Sequence, residues 1–240
     1  MEISMEEKKI LTVDEAVEND TAKETESVSN NVTELVFILD RSGSMGGMEN
    51  DTIKGFNSMI DEQRTGEGRV LVSTVLFANF STVLHDRVDI SEIKHITRRD
   101  YYVGGCTALL DAIGDAIEHI RTIHKYARPE DVPARTMFII TTDGEENASR
   151  KYSSDEVKGK IKECEASGWE FLFVADNIDA VETAGRLGIR ADRAAQYSVS
   201  ADTPYLFREM SHTLKLFRKS GTVRNNWAED ISSKTRNNKK

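Results

Sequence analysis

Short runs of apolar residues alternate along this chain with stretches in which apolar residues recur every three or four positions. The runs have the continuous branched and aromatic character of strands that are buried on both faces. They span residues 35–39, 70–77, 136–140 and 171–174, with a weaker run at 195–199. A tight turn at Ala78 and Asn79 predicts that residues 80–84 pair back on residues 70–77. This pattern predicts a mostly parallel sheet with one antiparallel edge strand.

The stretches between the runs predict amphipathic helices. One begins with a capping box of Ser153 and Glu156 and ends at Gly168, and the last begins with Thr203 as N-cap and Pro204 as its first residue. Strands that alternate with helices predict an α/β fold of three layers, a doubly wound Rossmann-like sheet covered on both faces. The predicted buried helix positions are Ile53, Phe56, Ile60, Leu109, Ile113, Ile117, Ile120, His124, Val157, Ile161, Cys164, Leu206, Met210, Leu214 and Phe217.

The two ends of the chain differ from its middle in charge. Residues 1–34 carry ten acidic and three basic side chains, and residues 222–240 carry five basic and two acidic ones. Such polar, charged stretches bury too little apolar surface to offset their ordering entropy. We therefore expect a disordered acidic segment over residues 1–32, one domain over residues 33–220 and a disordered basic tail over residues 221–240.

Composition excludes several classes of function. The 240 residues carry a net charge of -9, whereas nucleic-acid binders are usually basic. No apolar run reaches the roughly 18 residues of a membrane span, and the first residues lack the layout of a signal peptide. Two cysteines, Cys106 and Cys164, form neither a disulfide framework nor a zinc pattern. We expect a cytoplasmic protein that binds neither nucleic acid nor membrane; its oligomeric state stays open.

Candidate chemistry lies in the loops that follow the buried strands, because ligands of open α/β sheets bind beyond the carboxyl ends of the strands. Residues 40–46 follow the first strand and include Asp40, Ser42 and Ser44. Residues 141–146 follow the strand at 136–140 and include Asp143, while Thr107 precedes a helix in the loop of residues 104–107. The topology predicts that these oxygen-bearing side chains meet at one end of the sheet.

Oxygen ligands of this kind suit a hard cation such as Mg²⁺ or Mn²⁺ rather than zinc. Ser42 and Ser44 stand two residues apart, so a tight loop can turn both hydroxyls toward one point. Neutral hydroxyls coordinate a cation without cancelling its charge, and Asp40 and Asp143 balance the remainder, partly through water. We expect an ion that stays electrophilic and accepts one further anionic ligand. The first amides of the helix near Thr107 are expected to favour that anion.

At these residues the sequence resembles the von Willebrand factor type A (vWA) domain and its metal-ion-dependent adhesion site. The resemblance covers about residues 33–220 and rests on Asp40-x-Ser42-x-Ser44, on Thr107 and on Asp143. It implies that the serines and Thr107 are direct or exchangeable ligands and that Asp143 alternates between direct and water-mediated contact. It also implies that Asp40 acts mainly through water and that the first and fourth strands are neighbours. The implied ion is Mg²⁺, for which Mn²⁺ or Ca²⁺ can substitute.

The resemblance implies a binding module, not an enzyme, whose ion captures an Asp or Glu carboxylate of a partner protein. Within the family, a stand-alone intracellular domain of this size is typical of bacteria. One alternative is an accessory subunit of a larger ATP-driven assembly, whose ATPase would be another chain because no Walker pattern occurs here. The other is a metal-dependent phosphohydrolase of the haloacid dehalogenase type, which would need an Asp where Ser42 stands.

Three further features near the site have both a bland and a functional interpretation. Cys106 departs from the small residue usual before the metal threonine, and we expect a buried, inert thiol there. Glu145 and Glu146 are expected to form a solvated turn, although they could shape selectivity. Residues 98–102, Arg-Arg-Asp-Tyr-Tyr, are expected to be a surface loop that could also line the rim and contact an anionic partner.

Overall fold

Six strands form one sheet in the computed structural model, which describes residues 31–229 and residue 231, apart from residues 177 and 198. The strand order is β3-β2-β1-β4-β5-β6. Only the β2–β3 pair is antiparallel, and the other four pairs are parallel. The predicted fold class is confirmed, including the single antiparallel edge strand. The strands are β1 (Thr33–Asp40), β2 (Val70–Phe77), β3 (Ser81–Asp89), β4 (Arg135–Thr142), β5 (Glu170–Ala175) and β6 (Ala194–Gln196).

Helices cover both faces of the sheet. They are α1 (Glu49–Arg64), α2 (Leu109–Tyr126), α3 (Ser154–Ala166), α4 (Ala180–Leu187) and α5 (Val199–Ser220). One apolar core lies between the sheet and helices α1 and α5, and a second lies between the sheet and helices α2, α3 and α4. None of the helices in the described residues is long and apolar enough to span a membrane.

Strand β1 lies at the centre of the sheet and determines where the crevice forms. Leu35, Phe37 and Leu39 enter the first core, while Val36 and Ile38 enter the second, as the period of two requires. β1 pairs with β2 on one side and with β4 on the other, so the strand order reverses here. Asp40, the last residue of β1, therefore lies at the switch point where ligands of such sheets bind.

One helix was not predicted, and another begins earlier than predicted. The eight-residue α4, which Asp179 caps by accepting a hydrogen bond from the Glu182 amide, was not predicted because its apolar pattern is very short. α5 begins at Val199, so Thr203 and Pro204 lie inside it rather than at its start. The weak run at 195–199 supplies only a three-residue strand, β6. The capping box of Ser153 and Glu156 is confirmed.

The basic C-terminal tail was predicted to be disordered from residue 221, which is wrong for its first part. Val223, Trp227 and Ile231 are all buried and join the core beneath α5. The Trp227 indole also donates a 2.8 Å hydrogen bond to the Asp192 carbonyl. Three large apolar side chains thus outweigh the basic residues around them. Residues 232–240 and the acidic segment up to residue 30 lie outside the described residues.

Two helical glycines give opposite predictions for replacement by alanine. A Cβ on Gly55 of α1 would lie 2.0 Å from Cδ2 of Phe207, a buried core residue of α5. A Cβ on Gly159 of α3 would meet nothing within 4 Å. We expect Gly55→Ala to lower the free energy of unfolding by about 1–3 kcal/mol through overpacking. Gly159→Ala should raise it by about 1 kcal/mol through helix propensity. Urea denaturation of both variants measures the difference, and equal effects would contradict the tight α1–α5 contact.

Candidate metal centre

Three loops converge at the carboxyl end of β1 and β4. Asp40 ends β1, Asp143 directly follows β4, and Thr107 stands two residues before α2. The Gly43 amide donates a 3.0 Å hydrogen bond to the Gly105 carbonyl, which ties the first loop to the third. The five predicted site residues, Asp40, Ser42, Ser44, Thr107 and Asp143, therefore belong to one crevice.

Asp40 is fully buried, and both of its carboxylate oxygens are hydrogen-bonded within the protein. Oδ1 accepts from the Ser42 amide at 2.7 Å, and Oδ2 accepts from the Thr142 hydroxyl at 2.7 Å. Burial raises the pKa of Asp40, although these two hydrogen bonds oppose the shift. Asp40 thus fixes the loop that carries the serines and supplies negative charge from beneath the crevice.

A chain of hydrogen bonds links the two serines to Asp143. The Ser42 and Ser44 hydroxyls lie 2.9 Å apart, and the Ser44 hydroxyl donates to Asp143 Oδ1 at 2.6 Å. Asp143 is buried, although it lies in the loop after β4, with only 3% of the residue exposed. Its other oxygen, Oδ2, is buried and has no hydrogen-bond partner within the described protein. Burial raises the pKa of this carboxyl to about 6, and the Ser44 hydrogen bond only partly opposes the shift.

The Thr107 hydroxyl joins this group above Gly144. A Cβ placed on Gly144 would lie 3.0 Å from Ser44 Oγ and 3.2 Å from Thr107 Oγ1, so the two hydroxyls lie near one point. Thr107 itself is buried, and its amide donates to Asn147 Oδ1 at 2.9 Å. A side chain at position 144 would therefore press on the oxygens of the crevice, which glycine leaves free.

These donors fit a hard divalent cation. Two carboxylates and three hydroxyls surround the crevice, and a buried carboxylate oxygen without a donor is the kind of atom that a cation satisfies. No group of three or more His, Cys, Asp or Glu side chains within the described residues could hold a metal. Any ion bound here would therefore depend partly on hydroxyl oxygens. The site residues offer none of the nitrogen and sulfur ligands that are typical of structural zinc sites.

Two acidic residues, Glu146 and Asp111, hold the β4–α3 loop against α2, a structural role that the sequence did not predict for either of them. Glu146 accepts from the Leu110 amide at 2.9 Å and from the Ser149 amide at 2.7 Å. Asp111 accepts from three successive backbone amides, those of residues 150, 151 and 152. Glu146 is thus a structural part of the turn. Because Glu146 and Ser149 already occupy the amides of Leu110 and Asp111, the expectation that the first amides of α2 favour an anion is wrong.

Three further residues lie close to the floor of the crevice. The buried Tyr101 hydroxyl donates to the Asp40 carbonyl, and burial strongly raises the pKa of this phenol. Asp176 follows β5 as Asp143 follows β4, and its amide donates to the Thr142 carbonyl at 3.1 Å. The negative charge of Asp176 contributes to the raised pKa of Asp143 and, together with burial, to that of Tyr197. No spacing in the sequence indicates these contacts, since each depends on the register between strands.

The structure confirms some expectations for the cysteines and for residues 98–102 and contradicts others. Cys106 is exposed, not buried, because the Gly104-Gly105 turn places it on the outside of its loop. Cys164 is buried in the second core as expected, and burial raises the pKa of its thiol to about 11. Within residues 98–102, Tyr101 is a core residue, whereas Arg98, Arg99 and Tyr102 are exposed. Only part of that segment therefore belongs to a surface loop.

The fold and the crevice together define a class: a doubly wound α/β domain with an oxygen-rich cleft at its switch point. The chain belongs to the von Willebrand factor type A domain family, whose family model matches residues 34–205. A comparison with curated protein sequences gave no significant match.

Solved structures of the same fold include proteins from distant organisms. The vWF domain of the type V pili tip protein Mfa5 from Porphyromonas gingivalis has a TM-score of 0.59 at 11% identity, over 80% of this chain and 98% of that one. Manganese-loaded TRAP protein of Plasmodium vivax has a TM-score of 0.52 at 16% identity, over 72% of this chain and 71% of that one. Proximal thread matrix protein 1 from the mussel byssus, with a zinc-occupied MIDAS motif, has a TM-score of 0.51 at 13% identity. That match covers 78% of this chain but only 46% of the mussel protein, so the chain spans less than half of its length.

Proposed function

We propose that this chain is a Mg²⁺-dependent protein-binding module that captures an Asp or Glu carboxylate of a partner at a metal-ion-dependent adhesion site. The observation that carries the proposal is the buried Asp143 Oδ2, which lacks a donor in a crevice of convergent hydroxyls. A cation would satisfy this oxygen where no protein group does. The metals named for two structural neighbours, manganese and zinc, are also divalent.

The five residues have distinct roles in this proposal. Ser42, Ser44 and Thr107 would offer neutral oxygens, and Asp143 would offer the charged one, while Asp40 acts from beneath through its hydrogen bonds. A bound Mg²⁺ would supply a positively charged position for one more anionic ligand, because three of its protein donors carry no charge. The protein's own contribution is a crevice with fixed oxygens, since Glu146 and Asp111 anchor the adjoining loop.

The geometry favours binding over hydrolysis. A phosphohydrolase of the haloacid dehalogenase type would need a free oxygen on the Asp that ends the first strand, yet both oxygens of the buried Asp40 accept hydrogen bonds, from Ser42 and Thr142. A general base is also needed, and His85, His95, His119 and His124 hydrogen-bond instead to Thr74, Asp61, Asp86 and Glu34 respectively, none of which is a site residue. We therefore propose that the chain has no hydrolase activity of its own, and metal-dependent turnover of phosphate esters that is lost in Asp40→Ala would contradict this.

Affinity capture tests the proposed function. The chain is immobilised and exposed to native lysate in Mg²⁺ or in chelator, with Asp143→Ala and Asp155→Ala as parallel baits. Asp155 is an exposed residue of α3 and serves as the matched control. We expect partners that the wild type and Asp155→Ala retain only with Mg²⁺ and that Asp143→Ala does not retain.

The captured partner then identifies the ligand. Replacing its contacting acidic residue by alanine should abolish binding, and replacement by lysine should do at least equal harm because it brings like charges together. Binding that survives both chelation and loss of the acidic residue would make any metal structural only. Capture of an ATPase complex in the same experiment would support the accessory-subunit alternative, which shares the site but differs in the partner.

A further inference from the structure

Two exposed aromatic rings border the crevice. Phe80 is 82% exposed at the tip between β2 and β3, and Tyr102 is 60% exposed in the loop that leads to Thr107. Large apolar side chains that remain this exposed are typical of interaction surfaces when they lie together beside a binding site. Their position next to the proposed metal centre makes them candidates for recognising more of a partner than its carboxylate.

Arg41 joins the two aromatic positions. Its guanidinium lies over the Tyr102 ring, 4.4 Å from the centroid, and its Nη2 donates to the Thr82 hydroxyl at 3.1 Å. Thr82 lies just inside β3, two residues along the chain from Phe80, which belongs to the turn before that strand. The contacts of Arg41 and this short stretch of chain link the four residues Phe80, Thr82, Arg41 and Tyr102, which we call the aromatic–arginine ridge.

The ridge stands on a well-fixed backbone. Asn79 Oδ1 accepts from the Cys106 amide at 2.9 Å, and the Ala78 carbonyl accepts from the Ala108 amide at 2.8 Å. Gly105 has φ 85°, and a Cβ there would lie 1.9 Å from Asn79 Oδ1, so only glycine allows this close approach. A partner that binds here would lose little free energy in ordering the ridge.

Charge and shape indicate the chemistry of the occupant. The chain carries a net charge of -9, yet Arg41, whose guanidinium lies over the Tyr102 ring, places a positive charge within the ridge itself. Phe80 also forms one wall of a depression of about 390 Å³, which reaches Cys106 and Asn147 beside Thr107. Such a depression accepts a large side chain that lies a few residues from the metal-bound carboxylate.

We propose that the aromatic–arginine ridge recognises an extended, acidic segment of the partner that carries a large apolar side chain close to its metal-binding Asp or Glu. The apolar side chain packs on Phe80, and Arg41 and Tyr102 bind the neighbouring acidic and apolar groups. This inference rests on the proposed function and deepens it, because it assigns sequence specificity to residues outside the metal centre.

Selection from a displayed library of random twelve-residue peptides tests the ridge. The wild-type chain is used in Mg²⁺ and in chelator, together with Phe80→Ala, Tyr102→Ala and the control Tyr126→Ala. Tyr126 is a 77% exposed aromatic residue at the far end of α2. Calorimetry with Mg²⁺ alone is run on every variant, and sedimentation reports the oligomeric state.

We expect Mg²⁺-dependent selection of peptides with an acidic residue and a nearby aromatic or large aliphatic residue. The best peptide should bind Phe80→Ala about tenfold more weakly, as for an aromatic anchor of an interface. Tyr126→Ala should match the wild type, and the Mg²⁺ affinity of each variant should stay within about twofold.

The outcomes separate the two proposals. If no peptide is selected in a Mg²⁺-dependent way, the proposed function fails. If acidic peptides are selected without an apolar preference, or if Phe80→Ala binds them as the wild type does, the ridge proposal alone fails. Self-association of the chain that Phe80→Ala abolishes would also overturn it, because the ridge would then face a second copy.

Discussion

Asp143→Asn is expected to abolish the rise in melting temperature that Mg²⁺ gives the wild-type chain. At about 100 times its Kd, a ligand that binds only the folded state adds about 2.7 kcal/mol. For a chain of this size that corresponds to a rise of about 5–10 °C. The variant keeps the shape of the side chain and loses its charge, so the buried Oδ2 position no longer attracts a cation. Calorimetric titration with Mg²⁺ and thermal melts with and without chelator measure the effect.

The matched control for this prediction is Asp155→Asn, whose side chain is exposed in the first turn of α3 and is not one of the five site residues. It should retain the full Mg²⁺ effect. A wild-type rise that persists undiminished in Asp143→Asn would place the cation elsewhere. If neither the wild type nor the control responds to Mg²⁺, Mn²⁺ or Ca²⁺, the assignment of a metal centre fails as a whole.

The stability difference between Asp143→Asn and the wild type is expected to depend on pH when no metal is bound. Burial raises the pKa of Asp143 from 3.8 to about 6, so between these values the folded state holds a proton that the unfolded state has released. The contribution of this group to stability is therefore complete below about pH 4 and is lost as the pH rises through about 6. We expect the melting temperature of Asp143→Asn to exceed that of the wild type at pH 7.5 in chelator. The difference should shrink toward pH 4.5, and a constant difference would contradict the raised pKa.

The site residues that the sequence predicts are close together in the chain or lie at the ends of predicted elements. The residues that it missed make contacts between segments that are distant in the chain. Asp40, Ser42 and Ser44 lie within five residues after an unmistakable buried strand, so spacing alone brings them together. Asp143 and Thr107 follow from the topology. Asn147, by contrast, binds the Thr107 amide across 40 residues, and a lone asparagine in a loop gives no signal of that bond.

The same distinction holds for the fold. Continuous apolar runs located β1, β2, β4 and β5 because the middle of a strand that is buried on both faces is almost entirely apolar. Composition misled at the C-terminus, where Val223, Trp227 and Ile231 are buried among basic residues. It misled again at Glu34, which counts among the acidic residues of the N-terminal stretch but is fully buried in β1. A charge count averages over positions, whereas burial is decided position by position.

Glu34 gives the second large prediction, at the end of the sheet opposite the crevice. Its carboxylate accepts a 2.5 Å hydrogen bond from Arg87 Nε of β3 and lies 2.7 Å from His124 Nε2 of α2. The Glu34 side chain is 0% exposed, so removal of Arg87 leaves a buried charge with half of its partners. Loss of one partner from a buried ion pair costs about 3–5 kcal/mol, and because His124 remains we expect Arg87→Ala to cost about 3 kcal/mol.

Urea denaturation of Arg87→Ala against Arg69→Ala measures this cost. Arg69 pairs with Asp89 at 3.0 Å on the same β2–β3 hairpin, but its side chain is 62% exposed. Solvent screens such a pair, so Arg69→Ala should cost no more than about 1 kcal/mol. Arg87 also has φ 50°, which glycine adopts more easily, so Arg87→Gly should be the less harmful of the two replacements. Mg²⁺ affinity should be unchanged in all three variants, because the crevice lies at the other end of β1. If Arg87→Ala is no more harmful than Arg69→Ala, Glu34 does not depend on this ion pair, and its burial must be stabilised through His124 alone.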